Sequence, residues 1–493
     1  MAQPLHREPL TLAERFSLVY LLLPIALFLL GWFNWYLSLP LVVLLIAAIA
    51  PALRGELRDP FNVAIGWIAL SALAWVLLTG AGGILDTNTN ADWIKNDAIL
   101  LDMVRGGWPT YLPTEGLRQE PLLRYYLGYY LVPAGVGQLL GVSALDWAVP
   151  LWTWTGVTLL MTLFADQYRG RALLIAIAVL VFFSGMDIVR VLLFEDLDAV
   201  EFGSSHIEWD YFGGMRVQYS SHMVGLMYVP QHFLAAGLYT MLLVRLGQHA
   251  GFLRLSGPLL AASLFWSPFV ALGLLPLVLV LLWKNGLKPF LSWPNLVLAL
   301  PLALLLLVYL LGGSANFPQG WLVNKHGWQL VSWLPVFFIN QFLLLAALLC
   351  WLQPELRREP FFLVALASLL LLPWYQYGYF NDLAMRTSLP ALFLLSFYCA
   401  HCLADNWPER QKAMPRGPLA ALVIVLCAGA VTPLFEISRV LNFDDGERRR
   451  YEQLDYTTLS TVHRFFRGQY TARNIPDWYR GLMKNGKDRD DDG

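Results

Sequence analysis

Residues 86–111 have the sequence DTNTNADWIKNDAILLDMVRGGWPTY, a polar stretch inside a chain that is otherwise mostly apolar. It follows an apolar run at 62–80 that is long enough to cross a bilayer. The stretch contains four aspartates, Asp86, Asp92, Asp97 and Asp102. Carboxylates at a membrane are costly and usually functional, so this stretch guides the interpretation of the whole chain.

The spacing of apolar residues in this stretch predicts an amphipathic helix. Ile94, Ala98 and Leu101 share one helical face, and Asp97 lies on another. Such a helix lies on a membrane surface with its apolar face buried. The sequence GGWP at 106–109 is expected to end it.

Composition places the chain in a membrane. Of 493 residues, 57% are hydrophobic and only 14% are charged, whereas soluble domains are about 25% charged. The net charge of −1 gives no case for a nucleic-acid partner. At about 20 residues per crossing, the apolar runs predict an all-α polytopic protein with roughly 12–14 transmembrane helices. These runs are 16–31, 38–53, 62–80, 122–141, 145–165, 172–194, 224–244, 256–283, 290–312, 331–352, 361–377, 387–403 and 417–434.

The distribution of Arg and Lys predicts the topology. Short basic connectors are typical of the cytoplasmic side, and they occur at 54–58, 245–254, 284–288, 357–358 and 410–416. The longer loops then fall on the extracytoplasmic side, at 81–121, 195–223, 313–330 and 378–386. We therefore predict a transmembrane domain over 1–434, and over 435–493 a small extracytoplasmic segment with a disordered tail.

Two regions do not fit a simple count of crossings. Residues 122–171 hold two apolar runs where an odd number of crossings is needed, so either one run is re-entrant or Arg169 and Arg171 lie outside. Residues 256–283 are too long for one crossing, and Trp266-Ser267-Pro268 predicts a break into two kinked halves.

The first candidate for chemistry is the acidic loop helix. Transfer of a sugar from a lipid phosphate needs a base that takes a proton from the acceptor hydroxyl. Asp92, with Asp97 as the second choice, is the candidate base. The simpler interpretation is that Asp92 caps the helix and the other acids are solvated.

The second candidate is a polar group at and after the loop 195–223. Its members, which would bind a sugar or a divalent ion, are His206, Glu208, Trp209, Gln218, His222, Gln231 and His232. Their spacing matches no standard zinc site, so no metal is required by the sequence. The simpler interpretation is a polar loop with hydrogen-bonded histidines. This simpler interpretation does not suit Gln231 and His232, because they begin an apolar run where polar groups are costly.

The third candidate is the segment at 378–390. Asp382 and Arg386 lie four residues apart on one helical face and could pair with each other. Alternatively, Arg386 holds a phosphate oxygen, with Asn381 and Asp382 lining the substrate site. Lys95 and Arg124 are the further candidates for phosphate binding.

Six segments in this order resemble bacterial GT-C-type integral-membrane proteins associated with surface-polysaccharide genes. They are spread along the chain from about residue 86 to 398. The segments are ADWIKNDAILLDM, RYYLGYYLVPAGVGQLLG, VFFSGMDIV, HIEWDYF with VQYSSH, LFWSPFVALGLLP and NDLAMRTSLPALFLL. Two positions depart from the family pattern. Asn96 stands where a histidine is expected after the lysine, and His222 stands where QYSSN would place asparagine.

The resemblance implies an inverting glycosyltransferase in the bacterial inner membrane, with its site on the extracytoplasmic side. Its donor would be a polyprenyl-phosphate-linked sugar, and its acceptor a glycan, lipid or protein of the cell envelope. The catalytic acid of the family falls on Asp92, and its basic position at a late helix falls on Arg386. Two alternatives stay open: a polymerase or ligase acting on undecaprenyl-diphosphate glycans, and a flippase or transporter of lipid-linked sugars.

Overall fold

A computed structural model describes the chain over 9–54, 63–80, 91–112, 120–194, 200–202, 205–208, 210–212, 215–313, 317–404, 415–442, 458–459, 469–472 and 474–484. The described chain is mostly helical with very little sheet. Helices suit an apolar chain in lipid, because they satisfy their own backbone hydrogen bonds.

The helices and strands follow in chain order. The helices are α1 (Leu12–Trp32), α2 (Trp35–Leu53), α3 (Val63–Thr79), α4 (Ala91–Arg105), α5 (Leu131–Leu140), α6 (Leu145–Ala165), α7 (Gly170–Phe182), α8 (Asp187–Phe194), α9 (His222–Tyr228), α10 (Pro230–Leu246), α11 (Ala250–Leu253), α12 (Ser256–Trp266), α13 (Pro268–Asn285), α14 (Ala299–Leu311), α15 (Leu322–Val331), α16 (Leu334–Phe338), α17 (Leu344–Leu352), α18 (Pro360–Leu371), α19 (Asp382–Thr387), α20 (Leu389–Ala404), α21 (Arg416–Leu441) and α22 (Asp477–Arg480). The strands are β1 (Leu122–Leu123), β2 (Asp210–Phe212), β3 (Met215–Val217), β4 (Gln319–Trp321), β5 (Tyr375–Tyr377) and β6 (Thr471–Ala472). The antiparallel strand pairs are β1 with β6, β2 with β3, and β4 with β5.

The described helices make this a multi-pass membrane protein. Seven stretches are long and apolar enough to cross a bilayer: Leu12–Trp32, Trp35–Leu53, Val142–Ala165, Pro268–Asn285, Pro294–Leu311, Leu334–Leu352 and Arg416–Leu441. The pair α7 and α8, bent by 53°, gives an eighth if it is one span. Five further apolar helices are shorter than 18 residues. The count of 12–14 crossings stays a prediction.

One end of the bundle, here called the basic end, is held by ion pairs between Glu14, Asp166, Arg245, Lys284 and Glu359. Arg245 donates from Nε to Glu14 Oε1 at 2.9 Å and from Nη1 to Asp166 Oδ1 at 2.6 Å. Lys284 Nζ lies 3.1 Å from Glu359 Oε1. These contacts bring together connectors that the positive-inside rule assigns to one side of the membrane.

The opposite end, here called the loop end, carries α4 and the C-terminal residues. Lys484 N donates to Trp32 O at 2.9 Å, and Phe33 forms a bridge with Met483. β6 pairs with β1 at the same end. The described residues 469–472 and 474–484 of the predicted C-terminal segment therefore lie at the loop end, and the tail predicted to be disordered lies outside the described part after residue 484. Helix α21 continues past the predicted boundary at 434, to Leu441.

The region 122–171 crosses between the two ends once. Helix α6 runs toward Asp166, which belongs to the basic end. Helix α5 is only ten residues long and stays beside α4, where Gln138 Nε2 donates to Met103 O at 2.8 Å. Helix α6 alone therefore makes the odd number of crossings between residues 122 and 171, and the segment 166–171 begins at the basic end, as expected.

The break at Trp266-Ser267-Pro268 is confirmed and turns the chain back. Helix α10 ends at the basic end, and α12 begins shortly after it. Helix α13 returns to the same end, where Asn285 Nδ2 donates to Gly247 O, just after α10, at 2.9 Å. Ser267 Oγ caps α13 by accepting from Val270 N at 3.1 Å. The two kinked halves are therefore the arms of a hairpin, and Ser267 is its turn.

Candidate functional site

Helix α4 is fixed against the start of α10. Trp93 Nε1 donates to Met227 O at 2.8 Å, so the first turn of α4 lies beside the junction of α9 and α10. The helix begins at Ala91 and ends at Arg105, which confirms its predicted end before GGWP. Asp92 thus lies inside the first turn and not at the cap, and its side chain lies outside the described part.

Two of the predicted cations converge on one imidazole. The charges of both Arg386 and Lys95 act on His232. Lys95 Nζ lies 5.8 Å from the centre of the Tyr125 ring, and the Tyr126 and His232 rings are 5.4 Å apart. We call these five residues the cation cluster. They come from α4, the segment after β1, α10 and α19.

The two ring nitrogens of His232 have different surroundings. Nδ1 lies 2.6 Å from Ser267 Oγ, the turn of the α12–α13 hairpin. Nε2 is buried and has no hydrogen-bond partner among the described residues. A hairpin turn from one region and a polar helix start from another therefore meet at this side chain.

Arg386 takes part in an ion pair, as the simpler interpretation expects. Its Nη2 lies 2.9 Å from Asp382 Oδ1, and its guanidinium lies 5.8 Å from the centre of the Phe269 ring. A guanidinium has five N–H donors, so it can hold a carboxylate and a phosphate oxygen together. Asn381 is buried and adopts a left-handed conformation with φ of 55°, which asparagine tolerates.

Arg124 has a structural contact set of its own. It donates from Nε to Leu310 O at 2.5 Å and from Nη1 to Gln469 O at 3.2 Å. It therefore ties α14 to the C-terminal segment, and its charge also reaches Tyr126. Burial raises the pKa of Tyr126 above its ordinary range, and the nearby Arg386 and Arg124 oppose that rise.

The rest of the predicted substrate group divides between two other places. His206, Glu208 and Gln218 lie in a carboxyl cluster around the buried acids Glu208 and Glu436. His206 Nδ1 lies 2.6 Å from Glu436 Oε1, and Gln218 Nε2 donates to Glu208 Oε2 at 2.6 Å. Burial, followed by the charge of Asp187, raises the pKa of the Glu208 carboxyl well above its usual value.

His222 is part of the apolar core. Its ring stacks on Phe393 with centroids 4.3 Å apart, and its Nδ1 lies 2.7 Å from Leu180 O. The side chain of Trp209 lies outside the described residues. The stretch 206–232 therefore contributes to three places. Of its predicted site residues whose side chains the structure describes, Gln231 and His232 are the two that reach the cation cluster.

The acids of α4 are less solvated than the simpler interpretation expects. Asp102 is buried and its Oδ2 accepts from Leu459 N at 2.8 Å. Burial, followed by the charge of Asp146, raises the pKa of Asp97 from 3.8 to about 7. Among the described residues no group of three or more His, Cys, Asp or Glu could hold a metal ion.

Because the pKa of Asp97 is raised, we expect the free energy of unfolding to depend on pH. An acid whose pKa is raised by folding binds its proton more tightly when folded, so its stability contribution is present at low pH and is lost as pH rises through 7. Asp97→Asn should therefore raise the free energy of unfolding at pH 8 by roughly 2 kcal/mol, discounted for partial exposure, and change little at pH 4. Thermal unfolding in detergent measures this.

The matched control is Asp146→Asn. It removes only the charge of Asp146, the second cause of the raised Asp97 pKa. It should therefore raise the free energy of unfolding at pH 8 by less than Asp97→Asn does. An equal change in the melting temperature of Asp97→Asn at pH 4 and pH 8 would contradict the raised pKa.

A cavity of about 710 Å³ lies at the basic end. Glu14, Arg245, Lys284 and Glu359 line it, and their charges are already paired with one another or with Asp166. The cavity therefore offers paired charges, at the end of the bundle away from the loop residues.

Three contributors to the site were not predicted from the sequence: Tyr125, Tyr126 and Ser267. The run RYYLGYY beginning at Arg124 and the break at Ser267 were visible signals for them. Together the cluster offers two cations, a buried imidazole and aromatic faces, which suits an anionic group attached to a less polar one. Comparisons of the chain with family models, with curated proteins and with solved structures found no match.

Proposed function

We propose that this protein is an integral-membrane glycosyltransferase of GT-C type that uses a polyprenyl-phosphate-linked sugar. The observation that carries the proposal is that Lys95 and Arg386 each lie over a ring of the aromatic group that surrounds His232. Lys95 lies over Tyr125 and Arg386 over Phe269, and both of these rings contact Tyr126, which contacts His232. The two cations come from distant parts of the chain, at the end of the bundle that carries the long loops. Two cations beside a buried imidazole suit a lipid phosphate whose charge increases when it departs.

The proposed reaction is a single displacement with inversion. Asp92 takes the proton of the acceptor hydroxyl, and the hydroxyl oxygen bonds to the anomeric carbon of the sugar. The bond between that carbon and the phosphate oxygen breaks, and the phosphate keeps the electron pair. Lys95 and Arg386 then stabilise the lipid phosphate, while Arg124 shapes the site by holding α14 and the C-terminal segment.

The site's placement also supports the proposed topology. The cation cluster lies at the loop end, and the paired charges of the basic end match the connectors expected in the cytoplasm. The proposed site is therefore extracytoplasmic, in a bacterial inner membrane. The acceptor is then a cell-envelope glycan, lipid or protein.

The test is turnover of a panel of undecaprenyl-phosphate-linked sugars by the purified protein in nanodiscs. Lys95→Gln should raise the KM for the active donor roughly 10-fold, since it removes one charged contact to phosphate. Lys288→Gln, an exposed lysine toward the basic end, is the matched control and should not change KM.

Transfer from no sugar of the panel would overturn the proposal if the same preparation polymerises an undecaprenyl-diphosphate glycan. That result would favour the polymerase alternative. Movement of intact lipid-linked sugar between leaflets without bond cleavage would favour the transporter alternative.

A further inference from the structure

Three buried polar side chains at the cation cluster each leave one atom without a partner. Asn96, Gln231 and His232 are all 0% exposed. Within the described part of the chain, no hydrogen-bond partner is found for Asn96 Nδ2, Gln231 Oε1 or His232 Nε2. Buried polar atoms are nearly always hydrogen-bonded, and these three belong to side chains that are linked through neighbouring tyrosines, so together they point to a ligand.

The other polar atom of each side chain is held in place. Asn96 Oδ1 accepts from Tyr130 OH at 2.7 Å, and Gln231 Nε2 donates to Tyr125 OH at 3.4 Å. His232 is held by Ser267, as described above. Each side chain is therefore oriented by one contact, and its second atom is fixed in direction.

The three side chains belong to one connected group. The Tyr125 ring stacks on Tyr126 at 4.7 Å and lies 6.0 Å from the Tyr130 ring. Tyr126 in turn contacts the His232 ring. The aromatic run of the RYYLGYY segment thus links Asn96 of α4 to Gln231 and His232 of α10.

The chemistry of these atoms differs from that of the two cations. An amide nitrogen needs an acceptor, whereas the amide oxygen of Gln231 needs a donor. The oxygens of an ionised phosphate diester accept only, so bare phosphate cannot satisfy Gln231 Oε1. A hydroxyl group both donates and accepts, and a sugar ring carries several hydroxyls at fixed directions.

We propose that Asn96 and Gln231, with His232 beside them, bind the hydroxyl groups of the donor's sugar and so determine which sugar is accepted. This inference rests on the proposed function, because it assumes that the lipid phosphate lies at Lys95 and Arg386. It assigns a role to Asn96 itself, the residue at which the chain departs from the family pattern. The sugar and the phosphate are then held by separate groups of residues.

The experiment compares two radiolabelled lipids, undecaprenyl-phosphate-linked glucose and undecaprenyl phosphate, for equilibrium binding to the full-length protein in nanodiscs. Asn96→Leu and Gln231→Met should each weaken binding of the sugar-bearing lipid roughly 10-fold. Both should bind undecaprenyl phosphate within about twofold of the wild type. The second lipid thereby reports that each variant is folded.

Gln138→Met is the matched control, because Gln138 bonds to α4 away from the cation cluster, and it should change neither affinity. Equal weakening of both lipids by Asn96→Leu and Gln231→Met, or weakening of neither, would overturn the inference. If Lys95→Gln alters binding of neither lipid, the proposed function itself fails, and the two failures are thus distinguishable.

Discussion

Arg386→Ala should lower turnover of the lipid-phosphate-linked sugar by roughly 100- to 1000-fold. The guanidinium lies at the cation cluster, where its charge reaches both His232 and Tyr126. In the proposed reaction negative charge grows on the departing phosphate, so a fixed cation stabilises the transition state more than the bound donor. The loss should therefore appear mainly in kcat, with a smaller change in KM.

Arg386→Lys separates charge from geometry. Lysine keeps the charge but cannot hold Asp382 and a phosphate oxygen with one planar group, so activity should fall about 10-fold. Arg254→Ala, at an exposed arginine between α11 and α12, is the control and should keep full turnover. Unchanged turnover in Arg386→Ala, with the protein still folded in nanodiscs, contradicts the phosphate role.

Asp382 must be considered in the same experiment because it forms an ion pair with Arg386. Removing the arginine leaves a partly buried carboxylate without that partner, which would repel a phosphate. The double variant Arg386→Ala with Asp382→Asn removes this repulsion. If it restores most of the activity, the role of Arg386 is to neutralise Asp382 and not to hold phosphate.

The helix boundaries were largely predictable because their signals are local. GGWP ends α4, and Ser267-Pro268 separates α12 from α13. What those breaks do could not be predicted, since a kink and a hairpin turn have the same local sequence. Only the contact of Asn285 with Gly247 distinguishes the two, and it depends on how distant helices pack.

The polar residues between 206 and 232 were predicted to form one substrate-binding group, but in the structure they lie in separate places. His206 contacts Glu436, a residue beyond the predicted end of the last apolar run. A buried carboxylate can continue a helix when its oxygens are hydrogen-bonded, as those of Glu436 are. His206 and His232 are close in sequence, but the junction of α9 and α10 lies between them and each contacts a different partner.

Asp92→Asn should lower transfer of the sugar by roughly 1000-fold or more while the protein still inserts and binds the donor. An amide keeps the size of the carboxylate but cannot take the proton of the acceptor hydroxyl. The Trp93 contact to Met227 holds the first turn of α4 beside the start of α10. Asp92 belongs to that first turn and lies about one helical turn before Lys95. In the proposed reaction the base acts next to Lys95 and Arg386, so it is expected in this first turn.

Asp97→Asn is the matched comparison, since it changes a second acid of the same helix. Asp97 lies toward Asp146 and Tyr129, away from the cation cluster. We expect it to keep most of the transfer activity and to change stability with pH instead. The reverse result, with Asp97→Asn inactive and Asp92→Asn active, would move the base to Asp97, whose pKa of about 7 would then appear as the lower limb of the pH–rate profile. Full activity of both variants would remove the base from Asp92 and Asp97, the two acids proposed for it, and with it the proposed displacement.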